Sequence, residues 1–269
     1  MNELLPPLLL IGAGRMGSAL LAGWREQGLT QACIIDPSSD AQSLAGPGVS
    51  VMPEASFLPP DFMPHAVILA VKPQAAAAAL KSYKHFVPNS VFISIMAGKT
   101  VRGVAQLLGG SPAIVRAMPN TPAAVGQGVT VAFAGSNVSP IQQELSSRLL
   151  SAVGSVAWVK DEAILDPVTA ISGGGPAYVF LLTELLEQAG LDQGLPTELA
   201  KVIARQTVIG SAALLTASSE TPEALRIAVT SPGGTTAEAL KLLRADDALP
   251  KIFKAAIQAA TERSRELSA

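Results

Sequence analysis

Short apolar or β-branched runs recur through the first part of the chain, at residues 8–11, 33–35, 49–51, 66–70, 91–95, 113–116, 129–133 and 156–159. Helically spaced stretches separate them, an alternation that predicts a parallel, doubly wound sheet of the α/β class. Helix starts are marked by Pro73 after Lys72 and by Ser139-Pro140-Ile141-Gln142, which combines a capping box with a first-turn proline. The alanine run at 75–79 reads as plain helix. Past Asp161 the strand signal stops, and helices are predicted at about 162–171, 176–189, 197–217, 222–229, 235–244 and 248–267. Pro176 suits a helix start and Gly190 its end, Thr197 and Thr221 suit N-caps, and Thr235 with Glu238 has capping-box spacing. Two domains are therefore expected, an α/β domain over 1–160 and an all-helical one over 161–269. The helix from Pro176 is apolar nearly all the way round, through Ala177, Tyr178, Val179, Phe180, Leu181 and Leu182. A domain of about 110 residues can hardly bury such a helix by itself.

Composition narrows the class. Of 269 residues, 49% are hydrophobic and 15% charged, which excludes a disordered chain. A mean hydropathy of +0.39 raises the question of membrane insertion. The longest uncharged stretches, 117–143 and 167–183, are broken by Pro119, Pro122, Gly126 and Gly128, and by Gly173, Gly174, Gly175 and Pro176, so neither reads as a spanning helix. The surplus of apolar residues is better assigned to an extensive subunit interface. The opening run at 8–11 is preceded by Glu3 and by no Lys or Arg, and it leads into a glycine motif, so a cytoplasmic protein without a secretory leader is expected. Cys33 is the single cysteine, and His65 and His85 are the only histidines, so no metal site is expected. A net charge of −2 without a basic run gives no footprint for nucleic acid. The expected partners are small molecules and copies of the chain itself.

The first run continues as Gly12-Ala13-Gly14-Arg15-Met16-Gly17, a full GxGxxG pattern, and then as a helix rich in alanine and leucine. Gly12 permits a tight turn, Gly14 lets a pyrophosphate approach the backbone and Gly17 permits close helix packing, while the helix start offers amide donors. A glycine turn that binds nothing is the plain alternative. The order of strand, motif, helix and second strand favours a dinucleotide, and with it a Rossmann-like domain. The second strand ends at Asp36, about twenty residues past the last glycine, where a carboxylate accepts from ribose hydroxyls and repels a 2′-phosphate. Asp36-Pro37-Ser38-Ser39 also reads as a turn capped by Asp36, and Ser38 and Ser39 are alternative donors to a 2′-phosphate. The expected cofactor is thus NADPH or NADH. Ala70-Val71-Lys72-Pro73, Ala97-Gly98 and Met118-Pro119-Asn120-Thr121-Pro122 follow later strands, at the sheet edge where ligands of open α/β sheets sit. Lys72 reads equally as a solvated lysine and Asn120 as a turn residue.

Hydride transfer to or from an alcohol needs a proton handled by His, Lys or a Tyr–Lys pair. Neither histidine falls near the ligand edge, and the helix from Pro176 has no lysine before Lys201. Reduction of an imine fits better, because a protonated C=N already carries its proton and positive charge and the enzyme mainly positions it. Ser231-Pro232-Gly233-Gly234-Thr235-Thr236 before a helix supplies amides, hydroxyls and a helix N-terminus for a small anion. The same residues also read as an ordinary helix start capped by Thr235.

Taken together the chain resembles pyrroline-5-carboxylate reductase, the last enzyme of proline biosynthesis, from end to end. The resemblance is carried by Leu225-Arg226-Ile227-Ala228-Val229-Thr230 running into Ser231-Pro232-Gly233-Gly234-Thr235-Thr236-Ala237-Glu238-Ala239-Leu240, by Ile171-Ser172-Gly173-Gly174-Gly175-Pro176-Ala177-Tyr178, and by Arg116-Ala117-Met118-Pro119-Asn120-Thr121-Pro122. It implies hydride transfer from NADPH or NADH to the imine carbon of 1-pyrroline-5-carboxylate, giving L-proline. It also implies an N-terminal Rossmann-like dinucleotide-binding domain, an all-α C-terminal dimerisation domain, and a homodimer, often a homodecamer, in which one subunit completes the other's site. By the same resemblance, Ser231, Gly233, Gly234 and Thr235 hold the substrate carboxylate, Thr236 is the catalytic contact to the ring nitrogen, and Glu220 lies near that nitrogen. Ala70, Val71, Lys72, Pro73, Ala97 and Asn120 fall on cofactor loops beside Gly12, Gly14, Arg15, Met16, Gly17, Asp36 and Ser38. Two departures stand out: many members lack an acid at Asp36 and favour NADPH, and Gly173-Gly174-Gly175 replaces a serine-containing version. A reductase of a related cyclic imine and a non-catalytic dinucleotide-sensing module are the competing readings.

Overall fold

All eight apolar runs form strands of one sheet in the computed structural model, which describes residues 4–268. Residues 1–3 and 269, the outer ends of the two expected domains, lie outside the described residues. In chain order the sheet region comprises β1 (Leu8–Ile11), α1 (Arg15–Glu26), β2 (Ala32–Ile35), β3 (Val49–Met52), β4 (Ala66–Leu69), α2 (Ala76–Ala79), β5 (Val91–Ser94), α3 (Val101–Leu108), β6 (Ala113–Met118), β7 (Gly128–Ala134), α4 (Pro140–Ser151) and β8 (Gly154–Val159). The sheet order is β3-β2-β1-β4-β5-β6-β7-β8. Every residue of β1, β2, β4 and β5 is buried, which explains their unbroken apolar runs: helices cover both faces. One face packs on Leu20, Leu21 and Trp24 of α1 and Leu149 and Leu150 of α4, with Trp24 Nε1 donating to Leu149 O at 2.8 Å. The other packs on Leu80, Tyr83, Phe86, Val104 and Leu108.

β1 pairs in parallel with both β2 and β4, so the chain winds away from it in two directions. The crevice beyond the carboxyl ends of β1 and β4 is the topological switch point of the sheet. One expectation fails: β7 runs antiparallel to β6. Only the short 3-10 turn Thr121–Val125 and its flanks join them, too little chain for the crossover a parallel pair needs, so the chain returns as a hairpin. The alanine run is also less regular than expected, with α2 confined to four residues between the 3-10 segments Pro73–Ala75 and Leu80–Phe86.

The helical part comprises α5 (Leu165–Val168), a π-helical turn at Thr169–Gly173, α6 (Gly175–Asp192), α7 (Thr197–Ala217), α8 (Pro222–Ala228), α9 (Thr235–Leu243) and α10 (Ala248–Ser268). The Ser139 capping box forms, and Thr221 Oγ1 accepts from Ala224 N at 3.1 Å. Three other terminus readings need correction. Pro196 takes the N-cap of α7, leaving Thr197 inside the helix. Gly234 takes the N-cap of α9, so the Thr235–Glu238 box does not form. Gly190 does not end α6: Leu195 and Ala200 approach it closely, and Gly194, with φ +84°, supplies the left-handed residue beyond the helix end.

The chain divides into two compact units, one running to Gly173 and taking in the chain from Ala260 onward, the other Gly174–Ala259. Within the first, Arg116 is 5% exposed and its guanidinium meets Glu162 Oε1 at 3.0 Å and Asp166 Oδ1 at 4.0 Å. Glu162 Oε1 also accepts from Val101 N at 2.8 Å, and Ser264 Oγ of α10 donates to Asp166 Oδ1 at 2.7 Å. Charges this deep persist only when paired and hydrogen-bonded, as these are. Within the second unit, α6 and α7 pack together, yet no residue of α6 is buried and Phe180 is 68% exposed. Val179, Leu181, Leu182 and Leu185 of α6 and Val202, Ile209 and Leu214 of α7 are exposed as well. No helix among the described residues is long and apolar enough to cross a membrane.

Candidate functional site

The glycine motif occupies the switch point. Gly12 leaves β1 with φ +92°, and a Cβ there would lie 2.7 Å from Ala70 O and 2.8 Å from Ala70 C, so the ends of β1 and β4 touch through the missing side chain. Gly17 abuts the carbonyl of Gly12, which seats α1 tightly on the turn. Gly14 is different: it is the exposed N-cap of α1, an added Cβ would meet nothing within 4 Å, and no side chain caps the helix there. Arg15 is exposed and Met16 half-buried in the first turn. The loop is also held by Ser18, whose hydroxyl donates to Ala13 O at 2.7 Å.

Asp36 ties the end of β2 to this loop. Its Oδ2 accepts from Ala13 N at 2.6 Å and its Oδ1 from Ser38 N at 2.9 Å. The two sequence readings of Asp36 thus coexist: it caps its own turn, and it lines a cavity of about 320 Å³ beside Ala13, Gly14 and Ser18. Each carboxylate oxygen keeps acceptor capacity for a further donor. Sequence reasoning missed Asp40 and Ser43, which line the same cavity from the 3-10 turn Ser39–Leu44. The available signal was Ser38-x-Asp40: Ser38 Oγ caps that turn by accepting from Asp40 N at 3.3 Å. An exposed glycine amide, an uncapped helix start and a fixed carboxylate around one cavity fit the pyrophosphate and adenosine ribose of a dinucleotide.

The other strand-end loops present mainly backbone. Ala70 N donates to Ile11 O at 2.8 Å, Val71 is half-buried, and exposed Lys72 is the N-cap of the Pro73–Ala75 turn. Ala97 is exposed after β5, beside buried Gly98, where a Cβ would lie 2.7 Å from Leu267 O. Asn120 is engaged at both ends of its carboxamide: Oδ1 accepts from Val129 N at 2.9 Å and Nδ2 donates to Ser172 Oγ at 3.3 Å. Ser172 was missed because its partner lies 52 residues away. At Gly173 a Cβ would lie 2.6 Å from Met118 Cε, so a methionine end occupies the space beside the glycine run.

In the second unit, Ser231 and Gly234 close a turn, Gly234 N donating to Ser231 O at 3.0 Å, with Gly233 at φ +71° and open space around it. Gly234 leads into α9 without a side-chain cap, which leaves the first-turn amides and the exposed Thr235 and Thr236 at the helix start. Glu220 is exposed before α8, its backbone N donating to Ser218 Oγ at 3.0 Å. Both histidines are exposed: His65 precedes β4, and His85 packs on Phe86, ring centroids 3.9 Å apart.

Known proteins resemble this chain in sequence and fold. The family model described as pyrroline-5-carboxylate reductase dimerisation matches residues 162–267, and that described as NADP oxidoreductase coenzyme F420-dependent matches residues 8–98. A pyrroline-5-carboxylate reductase of Pseudomonas aeruginosa is 38% identical over 268 residues, covering 98% of this chain and 97% of its own. Among solved structures, a pyrroline-5-carboxylate reductase from Coxiella burnetii superposes with a TM-score of 0.88 at 33% identity, covering 98% of this chain and 99% of that one. The Plasmodium falciparum pyrroline carboxylate reductase with NADP bound superposes with a TM-score of 0.83 at 29% identity, covering 100% of both chains.

Proposed function

Because the chain belongs to the pyrroline-5-carboxylate reductase family, we propose that it reduces 1-pyrroline-5-carboxylate to L-proline with NADPH or NADH. The observation that carries this reading is the likeness to the Pseudomonas aeruginosa reductase over 98% of one chain and 97% of the other, which leaves no large part of either unmatched. The reduced nicotinamide, when bound, supplies a hydride. With the substrate held as an iminium, such a hydride would add at the imine carbon, the C=N π pair would pass to the ring nitrogen, and the chain would have no further proton to deliver there.

The chain's own residues then have mostly binding and orienting to do. Gly12, Gly14 and Gly17 with the first-turn amides at Arg15 and Met16 hold the pyrophosphate, and Asp36 and Ser38 meet the adenosine ribose. Ala70, Val71, Lys72, Pro73 and Ala97 border the cofactor with their backbones, and Asn120 sets the loop after β6 through its bonds to Val129 and Ser172. Ser231, Gly233, Gly234 and Thr235 take the substrate carboxylate at the α9 start, Thr236 accepts from the iminium N–H, and Glu220 balances its charge. Residues 1–160 serve the cofactor, and residues 161–269 serve substrate and assembly. The chain forms a homo-oligomer, a homodimer that builds to a homodecamer, and works in the cytoplasm. The exposed apolar residues of α6 and α7 and the dimerisation-family match support that assembly.

The test is loss of reduced-nicotinamide absorbance on adding 1-pyrroline-5-carboxylate, with L-proline identified as product. Thr236→Ala is expected to lower kcat by about tenfold or more while cofactor affinity stays within about twofold. An unchanged kcat removes Thr236 from the reaction, and a wild type that consumes neither cofactor sinks the reading.

A further inference from the structure

Resting on the dinucleotide reading above, we propose that this chain selects NADH over NADPH, with Asp36 and Asp40 together excluding the 2′-phosphate. Asp36 is not a mobile surface carboxylate: two backbone amides hold it, Ala13 N at 2.6 Å and Ser38 N at 2.9 Å. Swinging it aside to admit a phosphate breaks both bonds and releases the glycine loop from the end of β2. Asp40, four residues on, lines the same cavity. A 2′-phosphate brings about −1.5 to −2 charges to a site that already holds two carboxylates.

No cationic side chain on the described lining offsets that repulsion. Sites that take a 2′-phosphate place an arginine near it, whereas among the described residues lining this cavity there is no Lys or Arg. The nearby guanidinium of Arg25 donates to Leu44 O. Of the two serines read as alternative donors, Ser39 does not line the cavity, and Ser38 Oγ accepts from Asp40 N at 3.3 Å and keeps its own proton to give. Ser18 and Ser43 donate theirs to Ala13 O and Asp40 O, so among the described lining residues one serine hydroxyl stands against two carboxylates. A ribose with free hydroxyls meets the opposite situation: it is a donor facing spare carboxylate lone pairs.

The experiment measures equilibrium dissociation constants on the whole protein, independent of turnover, for NADH and NADPH and for the fragments ADP and 2′,5′-ADP, which probe the adenosine end alone. NADH is expected to bind about tenfold or more tighter than NADPH, with ADP ahead of 2′,5′-ADP by a similar factor, and raising the salt concentration is expected to narrow the gap. Asp36→Asn, which turns an NH2 group towards one of the two backbone amides and so is read together with its Tm, is expected to bring the two dinucleotides within about threefold. Exposed Asp40→Asn, which carries no comparable risk to folding, should strengthen NADPH by roughly twofold to fivefold and leave NADH alone. Equal or tighter NADPH binding by the wild type overturns the proposal, as does a ratio unmoved by both substitutions. Preferential NADH binding without pyrroline-carboxylate turnover would instead remove the proposed reaction and leave the selectivity standing.

Discussion

Gly12 and Gly14 sit two positions apart and carry opposite constraints. At Gly12 a side chain meets both a left-handed backbone and the carbonyl of Ala70, whereas at Gly14 it meets open space. Gly12→Ala is therefore expected to lower stability by about 2 kcal/mol or more. Gly14→Ala should melt like the wild type yet bind dinucleotide about tenfold more weakly, because its methyl stands where the pyrophosphate would lie. Thermal denaturation with and without cofactor separates the two. Tyr83 gives a pH dependence: burial pushes its phenol from 10.0 up to about 12. Below pH 10 the ring is neutral in both folded and unfolded chains. Between there and about 12 the unfolded chain ionises first, so this contribution to stability is lost as pH rises, at about 1.4 kcal/mol per unit. Tyr83→Phe should flatten that part of a Tm against pH curve. Asp36 was legible in the sequence because strand ends and ribose-reading acids keep a regular spacing. Asp40 was not, since its place depends on a 3-10 turn with no periodic signature, and neither was the Asn120–Ser172 pair, which only tertiary structure brings together.

At the level of elements, apolar runs announce where strands lie, and all eight are found, but a run reads the same in either direction. The reversal of β7 is decided by the short link from β6 and not by anything within the strand. The caps read correctly, Ser139 and Thr221, act through a side chain, whereas the ends that were misread are closed by backbone, proline or glycine. Ser139 closes α4 through a reciprocal box with Gln142, whereas Thr235 sits inside α9 behind Gly234. Ser139→Ala is accordingly expected to reduce stability by about 1 kcal/mol in urea unfolding, and Thr235→Ala by well under half of that. An equal loss at both positions would restore Thr235 as a cap.

For the molecule as a whole, the hydrophobic surplus visible in the composition reappears as uncovered side chains along α6 and α7. Composition registers that a partner surface is needed, but not how many copies meet, because rotational symmetry leaves no mark on a single chain. Leu185→Asp, on the uncovered face of α6, should shift sedimentation or gel filtration towards the monomer and make Tm fall on dilution. A further consequence follows from the end of α10. Asp166 receives the hydroxyl of Ser264, 98 residues later, and Leu267 lies against Gly98. On a translating ribosome the nucleotide-binding half is therefore synthesised long before the residues that finish it. It stays incomplete while residues 174–259 emerge, and it matures only once the last turns of α10 clear the exit tunnel.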